Sequence, residues 1–250
     1  HDVYAPCRLV DLQASGFDYW ALGHIHQRSQ HDGRTTVVMP GMPQGRDINE
    51  AGRKSVSLVT IHDDRRLNVE ERSTSIAEFA RVAVDLSGAD SWFDAVEAIE
   101  KAAALARTQS TSDHLVARLS LTGRTPLSWR LRRDRDLLLA EAEQRAEGIG
   151  GTWVEKIEIA TEPPSEGAAP SSADPVLELD ALMRDDVSHR HAVREEIRRM
   201  VKELRDDLPP ESRSFTGADE EAFEAFVDRL LAEGGSDVIA RLKPDGVEAD

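Results

Sequence analysis

Phe17-Asp18-Tyr19-Trp20-Ala21-Leu22-Gly23-His24-Ile25-His26 is the stretch that decides the reading of this chain. Its first half is apolar and aromatic (Phe17, Tyr19, Trp20, Leu22), the composition of a buried strand. Gly23 closes that run, and two histidines follow with one residue between them. On an extended backbone, side chains at i and i+2 point to the same side. His24 and His26 can then reach one site from the end of a strand, and imidazole suits zinc, manganese and iron. The alternative is a pair of exposed histidines that open a polar loop. A second landmark, Met39-Pro40-Gly41-Met42-Pro43-Gln44-Gly45-Arg46, lies just downstream. Its glycines permit close approach of backbone to a ligand, and Arg46 offers a planar fork matched to phosphate. The competing reading of Arg46 is a loop-fixing pair with Asp47 or Glu50.

Around this centre the chain organises as follows. A short helix precedes the strand at 17–22. A polar loop covers 27–34, with Asp32-Gly33 as its turn, and a β-branched strand covers 35–39. The loop 40–52 is too rich in Gly and Pro for a helix. Ser55–Ile61 alternates as a strand, and Leu67–Glu71 pairs with it across Asp63-Asp64. A second unit reads β-α-β-α-β: a strand at 79–86, a helix at 91–106 capped by Ser91, and a strand at 114–121. A charged helix at 129–146 and a strand at 153–159 complete it. The helix at 91–106 carries Phe93, Val96, Ile99 and Ala103 as one stripe. Residues 161–175 are a linker by composition, rich in Pro, Ser and Ala. Three amphipathic helices follow, at 176–183, 187–208 and 222–231. The fold class is α+β.

Of 250 residues, 40% are hydrophobic and 31% charged, and the net charge is −16. Residues 161–250 carry 23 acidic and 11 basic side chains, so the acidity lies mainly there. A chain this acidic is not a polyanion binder through its mean field, so any contact with DNA must use a local basic face or metal ions. The basic candidates are Arg124, Arg130 and Arg133, in and before the run Trp129-Arg130-Leu131-Arg132-Arg133-Asp134-Arg135. An electropositive helix start there favours phosphate. The competing reading is a solvated face in which Arg132 and Arg135 pair with Asp136 and carboxylates such as Glu141. Cys7 is the single cysteine, which excludes an internal disulfide. No apolar run approaches a membrane span and there is no signal peptide, so the expected compartment is the cytoplasm. The chain begins at His1 and enters ordered-looking sequence at once, as expected of a fragment or processed product.

Leu22-Gly23-His24-Ile25-His26 followed by Pro-Gly-x-Pro-Gln-Gly-Arg at 40–46 resembles the SbcD-type DNA repair exonucleases of the calcineurin-like metallophosphoesterases, most closely the bacterial YhaO-like branch. Tyr4-Ala5-Pro6-Cys7 and Asp18–His24 strengthen the resemblance, which is specific over residues 1–62, weaker over about 75–160 and architectural beyond. It implies the C-terminal portion of a phosphoesterase β-sandwich over 1–72, a small α/β capping domain on the DNA side over 75–160, the linker 161–175, and a helical tail over 176–250. It also implies two divalent metal ions, of which manganese is the expected kind, with His24 and His26 each reaching a different ion. Arg46 would then stand at the rim of the metal site, near the DNA backbone. The expected partners are DNA, an SbcC-like coiled-coil ATPase docked by the tail, and a second copy of the chain. The family's earlier ligand motifs, an Asp-x-His, a Gly-Asp, a Gly-Asn-His-Asp or -Glu and a further His, do not occur here. His1 lies after the position of the missing ligand His and is no substitute. His31, His62, His114, His189 and His191 read as structural or solvated. Two imidazoles cannot hold a dinuclear centre without bridging carboxylates, so the chain alone is expected to be inactive. The alternatives are a calcineurin-like phosphoesterase acting on nucleotides or phosphoproteins, and a non-catalytic module that docks an ATPase and holds DNA.

Overall fold

The structure is a computed structural model, and it describes residues 6–164, 175–217 and 219–243. His1, Tyr4, Ala5 and most of the 161–175 linker lie outside the described residues. The described chain is mixed α+β and divides into two compact units. The first comprises residues up to 87, 91–123 and 136–160, and the second comprises 88–90, 124–135 and the remainder from 161.

The first unit begins with helix α1 (Leu9–Gln13) and a three-stranded sheet. In this sheet β3 (Thr36–Met39) is central, parallel to β1 (Tyr19–Ala21) and antiparallel to β2 (Ser29–His31). Val37 and Val38 are both buried. Neighbouring residues of a strand face opposite ways, so β3 is covered on both sides. The segment expected as a polar loop at 27–34 thus contains an edge strand. Its three residues are exposed, so only backbone pairing recruits it, and no apolar alternation marks it in the sequence. Next comes the hairpin β4 (Ser55–Ile61) and β5 (Leu67–Ser73), in register from Ser55 opposite Ser73 to Ile61 opposite Leu67. Its turn passes through Arg65, which adopts a positive φ of 65°.

The third sheet is parallel, in the order β6 (Ala77–Asp85), β7 (His114–Thr122), β8 (Thr152–Ile159). Parallel neighbours need crossovers, and right-handed crossovers along a sequential strand order place both helices on one face. Helices α2 (Trp92–Gln109) and α4 (Arg135–Ile149) meet accordingly: Trp92 Nε1 donates to Glu141 at 3.1 Å, and Arg145 reaches Glu100 at 2.8 Å. Leu115, Ala117, Leu119 and Leu121 of β7 are buried, alternating with less buried residues. Ser91 caps α2 in a reciprocal box with Asp94. The buried stripe of α2 is Ala95, Val96, Ile99 and Ala103. Phe93, expected on it, is exposed, because it precedes Val96 and Ala95 by fewer residues than a full turn and falls to one side of their face.

The single helix expected over 129–146 is two helices. Asp134 breaks it with φ −103° and ψ 33°, ending α3 (Ser128–Arg133) before α4 begins. Helix α3 belongs to the second unit and packs on α7 (Glu220–Leu242), where Lys243 Nζ lies 5.6 Å from the Trp129 ring centre. The other helices of that unit are α5 (Pro175–Asp185) and α6 (His191–Asp207). Phe223 and Val227 of α7 and Val201 of α6 form a buried cluster, flanked by Ile197, Phe226 and Leu231. Met200 and Leu204 of α6 are each 53% exposed. Among the described residues no helix is long and apolar enough to cross a membrane.

Candidate functional site

His24 and His26 follow β1 in an irregular segment. His24 has a φ of 80°, in the left-handed region, so the extended geometry from which same-side placement was argued does not hold there. His26 faces Glu50: Nδ1 donates to Oε1 at 2.7 Å. An ionised carboxylate only accepts, so in the neutral ring the proton is on Nδ1 and the lone pair on Nε2. Glu50 ends a one-turn 3-10 helix, Ile48–Glu50, whose cap Asp47 accepts from the Asn49 N–H at 2.7 Å.

Arg46 grips the same carboxylate. Its Nη2 is 2.7 Å from Glu50 Oε1, and its backbone N–H donates to Oε2 at 2.8 Å. The Arg46 side chain and then its backbone N–H hold the Glu50 carboxyl down to about 2, with His26 adding to the effect. Arg46 is thus paired with Glu50 of its own loop. The loop glycines approach the protein's own backbone closely. A Cβ on Gly41, whose φ is 77°, would lie 2.9 Å from His26 O and 3.0 Å from Arg28 N. A Cβ on Gly45 would lie 2.8 Å from Glu50 O and 3.5 Å from the Phe79 ring.

Between them Gln44 ties the loop to β6. Its Nε2 donates to Gly45 O at 2.8 Å and to Ala77 O at 2.7 Å, while its Oε1 accepts from the N–H groups of Ile76 and Ala77. Sequence reading missed Gln44, whose partners lie more than thirty residues away. Glu50 was legible only as a carboxylate four residues from Arg46.

The other basic candidates belong to the second unit. Arg124 pairs with Glu162 at 3.2 Å, Arg133 with Asp134 at 2.9 Å, and Arg130 approaches Asp134 at 3.7 Å. Arg133 also lowers the Asp134 carboxyl below its ordinary range. Because the helix ends at Arg133, Arg130 and Arg133 occupy its last turn, where the carbonyl end favours cations, and Arg124 lies ahead of the helix. Arg130 and Arg133 do not line a helix start. Glu141, the expected partner of that arginine run, accepts from Trp92 instead.

His26 opens on a cleft of about 980 Å³ within the first unit, lined among others by Arg28, Pro40, Arg53, Lys54 and Arg81. Two imidazoles and a supporting carboxylate are part of a metal donor set. No group of three or more His, Cys, Asp or Glu among the described residues is placed to hold a metal ion. The described residues do not by themselves fit a dinuclear centre.

Comparison with known proteins shows what parts of the chain are similar to. The middle-domain family of metallophosphoesterase YhaO matches residues 79–162, the span of the parallel sheet and its crossover helices. The uncharacterized metallophosphoesterase YhaO of Bacillus subtilis (strain 168) is 31% identical over 170 residues, which cover 65% of this chain and 40% of that protein. The chain thus spans about 40% of the length of the curated relative it matches. It is akin to the YhaO/SbcD-like metallophosphoesterases, as its Gly-His-x-His and Pro-Gly-x-Pro-Gln-Gly-Arg motifs implied.

Proposed function

We propose that this chain is the C-terminal part of a metal-dependent DNA exonuclease that hydrolyses phosphodiester bonds in DNA-end repair. It would supply His24 and His26 to a two-metal centre, with manganese as the ion. The observation that carries this reading is the His26–Glu50 pair, in which a carboxylate orients an imidazole at the mouth of a cleft lined by arginines. In this reading the bridging carboxylates belong to portions of the phosphoesterase that this chain does not span. Residues 75–160 act as the capping domain. The tail helices, with Met200 and Leu204 exposed on α6, dock the coiled coil of an SbcC-like ATPase.

The test is cleavage of end-labelled linear duplex by the native-length protein in manganese. Substituting His24→Ala or His26→Ala is expected to reduce cleavage by two or more orders of magnitude, and EDTA to abolish it, while the 250-residue chain alone is inactive. Cleavage that survives both substitutions would remove the histidines from the site. Turnover of nucleotide monoesters without any attack on DNA would favour a phosphoesterase with small substrates.

A further inference from the structure

Glu50 stands between two groups that both donate to it. Its Oε1 accepts from His26 Nδ1 at 2.7 Å and from Arg46 Nη2 at 2.7 Å. Its Oε2 accepts from the Arg46 backbone N–H at 2.8 Å and from Arg46 Nε at 3.2 Å. The Glu50 side chain is 12% exposed, against 42% for His26 and 70% for Arg46. The carboxylate is thus the enclosed link of an Arg46–Glu50–His26 chain. Both oxygens are engaged, so rotating the carboxylate breaks bonds to Arg46.

The backbone around these groups is held by the same loop. A Cβ on Gly41 would lie 2.9 Å from His26 O, so the loop passes directly against the His26 backbone. On the other side of Arg46 the Gly52 N–H donates to Phe79 O at 2.8 Å, and Gln44 Nε2 donates to Ala77 O at 2.7 Å. Arg46 is therefore carried by a segment anchored to His26 at one end and to β6 at the other.

We propose that Arg46 is a positioning residue for the hydrolysis argued above: acting through Glu50, it holds the His26 imidazole in one orientation, with the proton on Nδ1 and the lone pair on Nε2. The Nε–Nη2 edge of its guanidinium, a planar fork of the kind that matches carboxylate or phosphate, is occupied by the Glu50 carboxylate. A carboxylate gripped by two parallel N–H groups presents its oxygen to the imidazole in one direction, and a bond from a ring N–H to an ionised acceptor is stronger than a neutral one. This inference deepens the phosphoesterase reading of the same site and rests on it for its effect on turnover.

The test is nitrogen-15 NMR of the histidine-labelled 250-residue chain in EDTA, at a pH of about 8.5, above the ordinary imidazole range. Long-range proton–nitrogen correlations report which ring nitrogen carries the proton. In the wild-type chain the Nδ1–H form of His26 should exceed the other about tenfold or more. Arg46→Ala should reduce that ratio about threefold or more. Arg46→Lys keeps a cation without the fork and should give an intermediate ratio, and it serves where the alanine variant does not fold. The ring of His62, just after β4, should keep its shifts in both variants. A His26 ratio unmoved in both variants would overturn the proposal. In the native-length protein, Arg46→Ala should lower kcat for DNA cleavage about tenfold and leave KM within about twofold. A raised KM at unchanged kcat would mark a contact to substrate instead, and would also overturn it. The NMR readout needs neither metal nor substrate. An inactive native-length protein would therefore refute the nuclease reading and leave the tautomer result standing.

Discussion

Gln44 binds Ala77 at both of its backbone groups, with Nε2 donating to Ala77 O at 2.7 Å and Oε1 accepting from Ala77 N–H at 3.3 Å. One side-chain amide thereby imitates a strand neighbour at the first residue of β6. Truncating it leaves partly buried backbone groups without partners. Gln44→Ala should cost about 1–3 kcal/mol in urea unfolding of the first unit. Gln44→Glu should cost at least as much at neutral pH, because a carboxylate would face the carbonyls of Gly45 and Ala77, and it should recover on acidification. A variant as stable as wild type would mean that this clasp is dispensable.

Glu50 governs the acid behaviour of the site. Its folded pKa, about 2, lies below the ordinary 4.5. A depressed carboxyl stabilises the fold fully above the unfolded value and loses that contribution as pH falls through the folded one. The window is therefore pH 4.5 down to about 2. Glu50→Gln should flatten the stability profile there. In Arg46→Ala, carboxyl NMR should find Glu50 titrating nearer the ordinary glutamate range, since the largest cause of its shift is gone. A Glu50 titration unmoved by Arg46→Ala would contradict the pairing.

Gly41 sets the distance between the two motifs. Alanine at its φ of 77° carries left-handed strain, and its Cβ would press on the backbone of His26 and Arg28. Gly41→Ala should destabilise the first unit by about 2 kcal/mol or more. It should also alter the NMR signals of the His26 ring. An unchanged melting temperature would show that the loop relaxes freely.

In the helical unit, Phe223 is 3% exposed and lies against Val227 and Val201, with Lys202 Nζ 5.5 Å from its ring centre. Phe223→Ala should cost about 3–5 kcal/mol. Hydrogen exchange in α6 and α7 should accelerate while β6–β8 remain protected. Equal acceleration in both units would mean that they unfold together.

Periodicity alone made β4, β5, β7 and the Ser91-capped helix legible, because a period of two or 3.6 and a local cap are written in neighbouring residues. The motifs at 22–26 and 40–46 made the kinship legible, since those residue types carry the resemblance in their order. Three things depended on contacts distant in sequence. The edge strand β2 exists through pairing with β3 and has no apolar face of its own. Asp134 splits a continuous helical pattern, and the α3 it ends packs on α7, far along the chain. Arg124 meets Glu162 far along the chain, whereas Arg46, Arg130 and Arg133 face carboxylates close by in sequence. Identity and charge are local properties of a sequence, but whether a charge is spent on a partner or left for a ligand is a property of distance, and only the tertiary structure sets distances between residues far apart in the chain.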